Sequence, residues 1–218
     1  MRVRSFVVGT ILLGLMLAIA SQEPPIFTDS EGLYTFTPPR NWVRIPQNET
    51  EEHLASIDKS LLATLKELRM VFFQPAAATL WSGGPSVALS VSAKGEVPLT
   101  DLLSYIDSGE FLKYVEKGAR ESEPKGQQPP RAIAYDKPII DKATHTIWII
   151  QKSNDNKGGA VIAILAMKLT CQGSVTAAYV ATHSDAVLAF KEAQFLSTAI
   201  VISKSCQYNW AQYDNAKK

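Results

Sequence analysis

Ala160-Val161-Ile162-Ala163-Ile164-Leu165-Ala166-Met167 is apolar at every position. A strand with one wet face alternates apolar and polar residues, whereas a strand covered on both faces does not. Asn154-Asp155-Asn156-Lys157-Gly158-Gly159 precedes the run and Gln172-Gly173 follows it, and both are turn chemistry. The run therefore reads as the central strand of a sheet. Outward from it, segments 132–140, 146–152 and 174–182 read as further strands. The connections are short and rich in Gly, Asn and Asp, so these neighbours pair antiparallel in a meander, since parallel strands need long crossovers.

The first half supplies the remaining elements. Leu33 to Thr37 alternates as a half-buried strand, Pro38-Pro39-Arg40-Asn41 is a turn, and Trp42 to Ile45 reads as the return strand, stopped by Pro46. Asn48 and Glu51 have the spacing of a capping box. Leu54, Ile57, Leu61, Leu65 and Leu68 then form one apolar stripe, which predicts a helix over 50–68. Met70 to Phe73 turns into a strand. Ser86 to Ala93 alternates Val87, Leu89 and Val91 against small polar residues, as a strand does. Pro98 suits the start of a second helix, with Leu99, Leu102, Leu103 and Ile106 inward, a break at Ser108-Gly109, and a C-cap at Gly118. A third helix, capped by Ser184-Asp185, places Ala186, Phe190, Ala193 and Ile200 on its buried side. The fold class is α+β.

Residues 1–20 read as an address. Arg2 and Arg4 precede an apolar run from Phe6 to Ala20 that ends in Ala18-Ile19-Ala20, a signal-peptide cleavage pattern with the cut between Ala20 and Ser21. The run spans about 22 Å as a helix, short of the roughly 30 Å hydrocarbon core. An uncleaved signal-anchor is the alternative. The organisation that follows is an extended, Pro-rich lead-in at 21–31, one domain at 32–204, and a tail at 205–218. Localisation is expected to be exported, periplasmic or secreted in a bacterium, with no stable membrane span after cleavage. Asn48-Glu49-Thr50 matches a glycosylation sequon, which means little in a bacterial protein.

Composition excludes several classes. At 46% hydrophobic and 20% charged residues, the chain is neither disordered, collagen-like nor a polytopic membrane protein. Twenty-two basic against 21 acidic residues give a net charge of +1, and loss of Arg2 and Arg4 with the signal takes it to −1. Neither value argues for nucleic acid as a partner. The two cysteines, Cys171 and Cys206, enter an oxidising space after export. They read as a disulfide closing a loop that would stabilise the fold by roughly 3.5–4 kcal/mol, or else as two separate buried thiols.

Gly32-Leu33-Tyr34-Thr35-Phe36-Thr37-Pro38-Pro39-Arg40-Asn41-Trp42 resembles the opening hairpin of the PsbP-like superfamily: a Gly-aromatic strand, a Pro turn and a Trp at this spacing. The later order of helices and strands is also similar, over about 30–204. The resemblance implies a twisted antiparallel sheet of about seven or eight strands with helices on both faces. Members include photosystem extrinsic subunits, a Ran-binding nuclear import factor and DcrB-type envelope proteins. Roles so different transfer no mechanism with the fold. The segment 203–218, with Cys206, Tyr208, Trp210 and Tyr213, does not align to the pattern.

Chemistry-bearing patterns are sparse. His53, His145 and His183 are isolated in sequence and read as solvated or structural; no spacing points to a metal, and no cofactor motif occurs. Trp81-Ser82-Gly83-Gly84 is the nearest approach to a nucleophile turn, and it lacks the Gly-x-Ser-x-Gly pattern. Gly158-Gly159 is explained by a turn. Candidate binding residues are Trp81 in loop 75–85, which either anchors a ligand or closes the sheet edge, and Arg131 at the end of loop 121–131. The tail aromatics either pack back on the domain or form a contact peptide. The expectation is an exported, non-enzymatic envelope protein that binds a protein partner or a small hydrophobic ligand. Two other readings stay open: a hydrolase whose His145 or His183 meets a Ser and a carboxylate in space, and a signal-anchored structural component.

Overall fold

The computed structural model describes residues 25–57, 68–73, 85–92, 99–121, 134–154, 160–181 and 186–211. The signal segment with Ala20 and Ser21, the loop carrying Trp81, the loop carrying Arg131, His183, the Ser184-Asp185 cap and Tyr213 lie outside the described residues.

Eight strands form one antiparallel sheet. The strands are β3 (Val43–Ile45), β4 (Leu68–Phe73), β5 (Ser86–Ser92), β6 (Ala134–Tyr135), β7 (Ile139–Asp141), β8 (Thr146–Asn154), β9 (Ala160–Thr170) and β10 (Gly173–Ala181). Their order is β3-β4-β5-β10-β9-β8-β6, with β7 also pairing with β8. The apolar run lies in β9, between β8 and β10, as its composition requires. Ile162, Ile164 and Ala166 are buried on one face, and Leu165, Met167 and Leu169 pack into a second cluster on the other. The turn at Cys171-Gln172 closes the β9–β10 hairpin directly, with Gly173 pairing with Thr170.

Helices cover both faces. On one side, α4 (Ala186–Thr198) presents Ala189, Ala193 and Leu196, spaced by four and three, to β9 and β10. The two alanines let the helix approach closely, and Phe190 meets Trp148 edge to face at 5.1 Å. On the other side lie α2 (Leu99–Asp107) and α3 (Glu110–Glu121), whose Leu103, Ile106 and Phe111 cluster with Ile147 and Ile149 of β8. Ser108-Gly109 breaks the two helices apart as expected, and Gly109 adopts φ +77, a conformation that costs an L side chain about 1–2 kcal/mol. Among the described residues, no helix is long and apolar enough to cross a membrane.

A smaller sheet, β1-β2-β11, closes the core. It joins β1 (Phe27–Thr28), β2 (Tyr34–Phe36) and β11 (Ile200–Ile202). Phe36 and Phe27 reach Phe72 of β4 at 5.1 and 5.0 Å between ring centres. Asp29, in the turn after β1, is buried, and its carboxylate faces Arg69 of β4 at 3.7 Å while also accepting the Glu31 amide at 3.0 Å.

Several expectations are corrected. Trp42 to Ile45 is not the return strand of a hairpin: β2 pairs with β1 and β11, whereas β3 pairs with β4. The two prolines and Asn41, at φ +72, swing the chain out of the small sheet, and a bond from the Trp42 amide to the Pro39 carbonyl closes that turn. The first helix, α1 (Gln47–Ile57), starts directly after Pro46. Asn48 is therefore inside it rather than capping it, and Leu68 and Arg69 belong to β4. Gly118 does not end α3, which continues to Glu121. Pro138, lacking an N–H, splits the strand foreseen at 132–140 into β6 and β7. Ile200 lies in β11 rather than on a helix.

Candidate functional site

α4 and β10 create a cleft where they meet the turn after β2. Its walls are Pro39 and Trp42 from the turn, Pro85 at the entry to β5, Tyr179 of β10, and Phe195 and Leu196 of α4, enclosing about 320 Å³. Such a volume suits a small molecule, and the walls are largely apolar. Pro39 and Trp42 reach it because the turn at Asn41 leaves the small sheet here. Glu192, Phe195 and Leu196 reach it together because residues three and four apart share a helix face. Phe195 is 63% exposed, which is unusual for so large an apolar side chain beside a buried neighbour.

One polar pair stands in the cleft. Tyr179 is buried, and its phenol donates to the Glu192 carboxylate. Burial, and then the bond and charge of Glu192, push the Tyr179 phenol well above its ordinary range. The hydroxyl is therefore a fixed donor rather than a proton source near neutrality. Lys191 brings a cation to the same rim.

The disulfide builds the second notable region. Cys171 and Cys206 are bonded, with Cα atoms 4.8 Å apart. The Cys171 amide donates to the Cys206 carbonyl at 2.9 Å, and Gln207 bridges to Thr170. The link ties the 3₁₀ turn at Lys204–Cys206 to the end of β9. Beyond it, Trp210 is buried and lies flat on His145, with ring centres 5.0 Å apart and planes 6° apart. Tyr208 meets Trp210 edge to face at 6.1 Å. The tail thus packs back on the domain as far as Trp210. His145 sits in a turn at φ +52 and is committed to an indole stack. Among the described residues, no group of His, Cys, Asp or Glu is placed to hold a metal ion.

Of the candidate binding residues, Trp81 and Arg131 lie outside the described residues, although Pro85, four positions after Trp81, lines the cleft. Sequence reasoning missed Tyr179, Glu192 and Phe195. Tyr179 could have been noticed, because it continues the inward parity of Val175 and Ala177. Nothing local marks Phe195 as exposed.

No protein-family profile matches the chain, and no curated protein sequence matches it. Among solved structures, cyanobacterial PsbP from Synechocystis sp. PCC 6803 is similar over 82% of this chain and 92% of that one, at 14% identity and a TM-score of 0.43. A protein from Bacteroides thetaiotaomicron VPI-5482 is similar over 84% of this chain and 50% of that one, at 11% identity and a TM-score of 0.37. Nothing about family or activity is taken from these likenesses; the α+β class rests on the strands and helices described above.

Proposed function

We propose that this chain is an exported, non-enzymatic domain of the bacterial cell envelope that binds a small, largely apolar ligand in the cleft between α4 and the Pro39–Trp42 turn. The observation that carries the reading is the cleft's composition: exposed Phe195 beside Trp42, Pro39 and Pro85, with the hydrogen-bonded Tyr179–Glu192 pair, which presents acceptor oxygens, at its polar end. Apolar walls supply affinity, and the Tyr179–Glu192 pair supplies orientation. Trp81, four residues before Pro85 in the sequence, is proposed as a further ligand contact. Arg131, the other candidate, lies outside the described residues and has no part in this proposal. Export is supported by the intrachain disulfide, which persists in oxidising compartments, and by the signal-like residues 1–20.

A neutral apolar fluorophore, N-phenyl-1-naphthylamine, titrated into the purified domain tests the reading. Saturable enhancement is expected, with Phe195→Ser and Trp81→Ala each weakening it by about tenfold. Absence of enhancement, or equal enhancement in both variants, refutes ligand binding at this cleft. Amino-terminal sequencing of the protein from envelope extracts is expected to begin at Ser21; a start at Met1 would replace secretion with anchoring.

A further inference from the structure

A second cavity, unconnected with the proposed cleft, opens at the end of β9. The strand is apolar until Lys168, its one charged residue. The pairing of β9 with β8 stops at Met167 and Ile147, and the tail does not rejoin β9 until Gln207 bridges Thr170. Between those points, the edge at Lys168 and Leu169 faces a space of about 260 Å³. Ile202 and Leu169 give it an apolar side, the stacked rings of His145 and Trp210 form a flat wall, and Gln207 brings an amide.

Lys168 is the cation in this space. Burial draws its pKa below the ordinary lysine value, and the charge of Asp141 opposes that shift. Asp141 is occupied: its carboxylate accepts the Ala143 amide at 2.9 Å, the Thr144 amide at 3.3 Å and the Thr144 hydroxyl at 2.7 Å. No carboxylate of a described residue pairs directly with Lys168. A half-desolvated ammonium without a direct counter-charge, in a cavity that also offers an amide donor, is an anion receptor by its chemistry.

We infer that this cavity binds a small monocarboxylate with a planar apolar body, its carboxylate on Lys168 and Gln207 and its body along the Trp210–His145 wall and Ile202. A single ammonium matches a single charge, whereas a phosphate dianion calls for a second cation or a forked guanidinium. The lining is more polar than apolar, and its apolar part at Leu169 and Ile202 gives a flat organic body a surface that an inorganic ion would not use.

Amide chemical shifts of the oxidised, ¹⁵N-labelled domain test the inference, with benzoate, benzyl alcohol and inorganic phosphate as probes. Benzoate is expected to move the Lys168, Leu169 and Gln207 amides saturably, with benzyl alcohol and phosphate each at least about tenfold weaker. Lys168→Met should weaken benzoate by about tenfold or more, while Phe195→Ser, at the other cleft, leaves it unchanged. Should Lys168→Met fail to fold, Gln207→Ala with the three-probe comparison on the native domain decides. Unmoved amides, equal binding of benzyl alcohol, or tighter binding of phosphate each overturns the assignment. Loss of benzoate binding in Phe195→Ser would place the probe in the other cleft and overturn it as well.

Discussion

Reduction of the Cys171–Cys206 bond gives the most quantitative test of how the tail is held. The bond joins residues 35 apart in sequence. The loop-entropy relation converts that span into about 3.8 kcal/mol of stabilisation at 25 °C, acting mainly by restricting the unfolded chain. Substituting alanines adds a second effect, because Cys206 is buried in the main core and its sulfur would leave a gap. The cleaner comparison is the native chain, oxidised against fully reduced, unfolded in urea. The expected loss is about 3–4 kcal/mol, seen as a midpoint lower by roughly 1.5–2 M urea for a chain of this size. The m-value should rise, since an unlinked unfolded chain exposes more surface. The Cys171 amide, which donates to the Cys206 carbonyl across the bridge, should lose hydrogen-exchange protection first. A loss below about 1 kcal/mol with an unchanged m-value would refute the loop-closure account.

Further predictions follow from the core and its charges. Phe72→Ala removes the ring that Phe27 and Phe36 both pack on, so urea unfolding should show a loss of about 3–5 kcal/mol; a loss under 1 kcal/mol would mean that the small sheet does not rest on that ring. Arg69→Met strands the Asp29 carboxylate, whose side chain is fully enclosed, and should cost about 2 kcal/mol, less than a fully buried pair because Arg69 is partly exposed; Asp29→Asn in the same background should recover part of it. Burial first, and then neighbouring carboxylates, raise the phenols of Tyr34 and Tyr179. The folded state therefore holds these protons more tightly than the unfolded chain, so the stabilisation is complete below pH about 10 and declines as pH rises beyond it. Unfolding free energies that stay level from pH 9 to 12 would contradict this.

Legibility from sequence followed the range of the forces involved. The β9 run and the alternation of Val87, Leu89 and Val91 were readable because burial on two faces or one writes itself into local pattern. The β1 and β11 strands were not, since two or three residues carry no period and exist only through pairing with β2. Trp42 to Ile45 was readable as a strand but not as a partner of β4, because turn residues report a change of direction without its destination. Asn48 and Glu51 mimic a cap, but the helix already begins at Gln47, directly after Pro46. At the cavity, the sequence reading did not single out Lys168, although it is the lone charge in an apolar strand, and the gap it faces depends on where β8 begins. The stack of Trp210 on His145 depends on a bond between cysteines distant in sequence, whose pairing sequence reading left open.

The small sheet knits residues 27–36 to residues 200–202. A polypeptide delivered through a narrow channel amino end first holds β1 and β2 ready while their closing strand is still on the far side. Under the proposed export, Phe36 gains its partner Ile200 only once β11 has emerged, and the disulfide waits four residues longer; the small sheet therefore closes late in delivery.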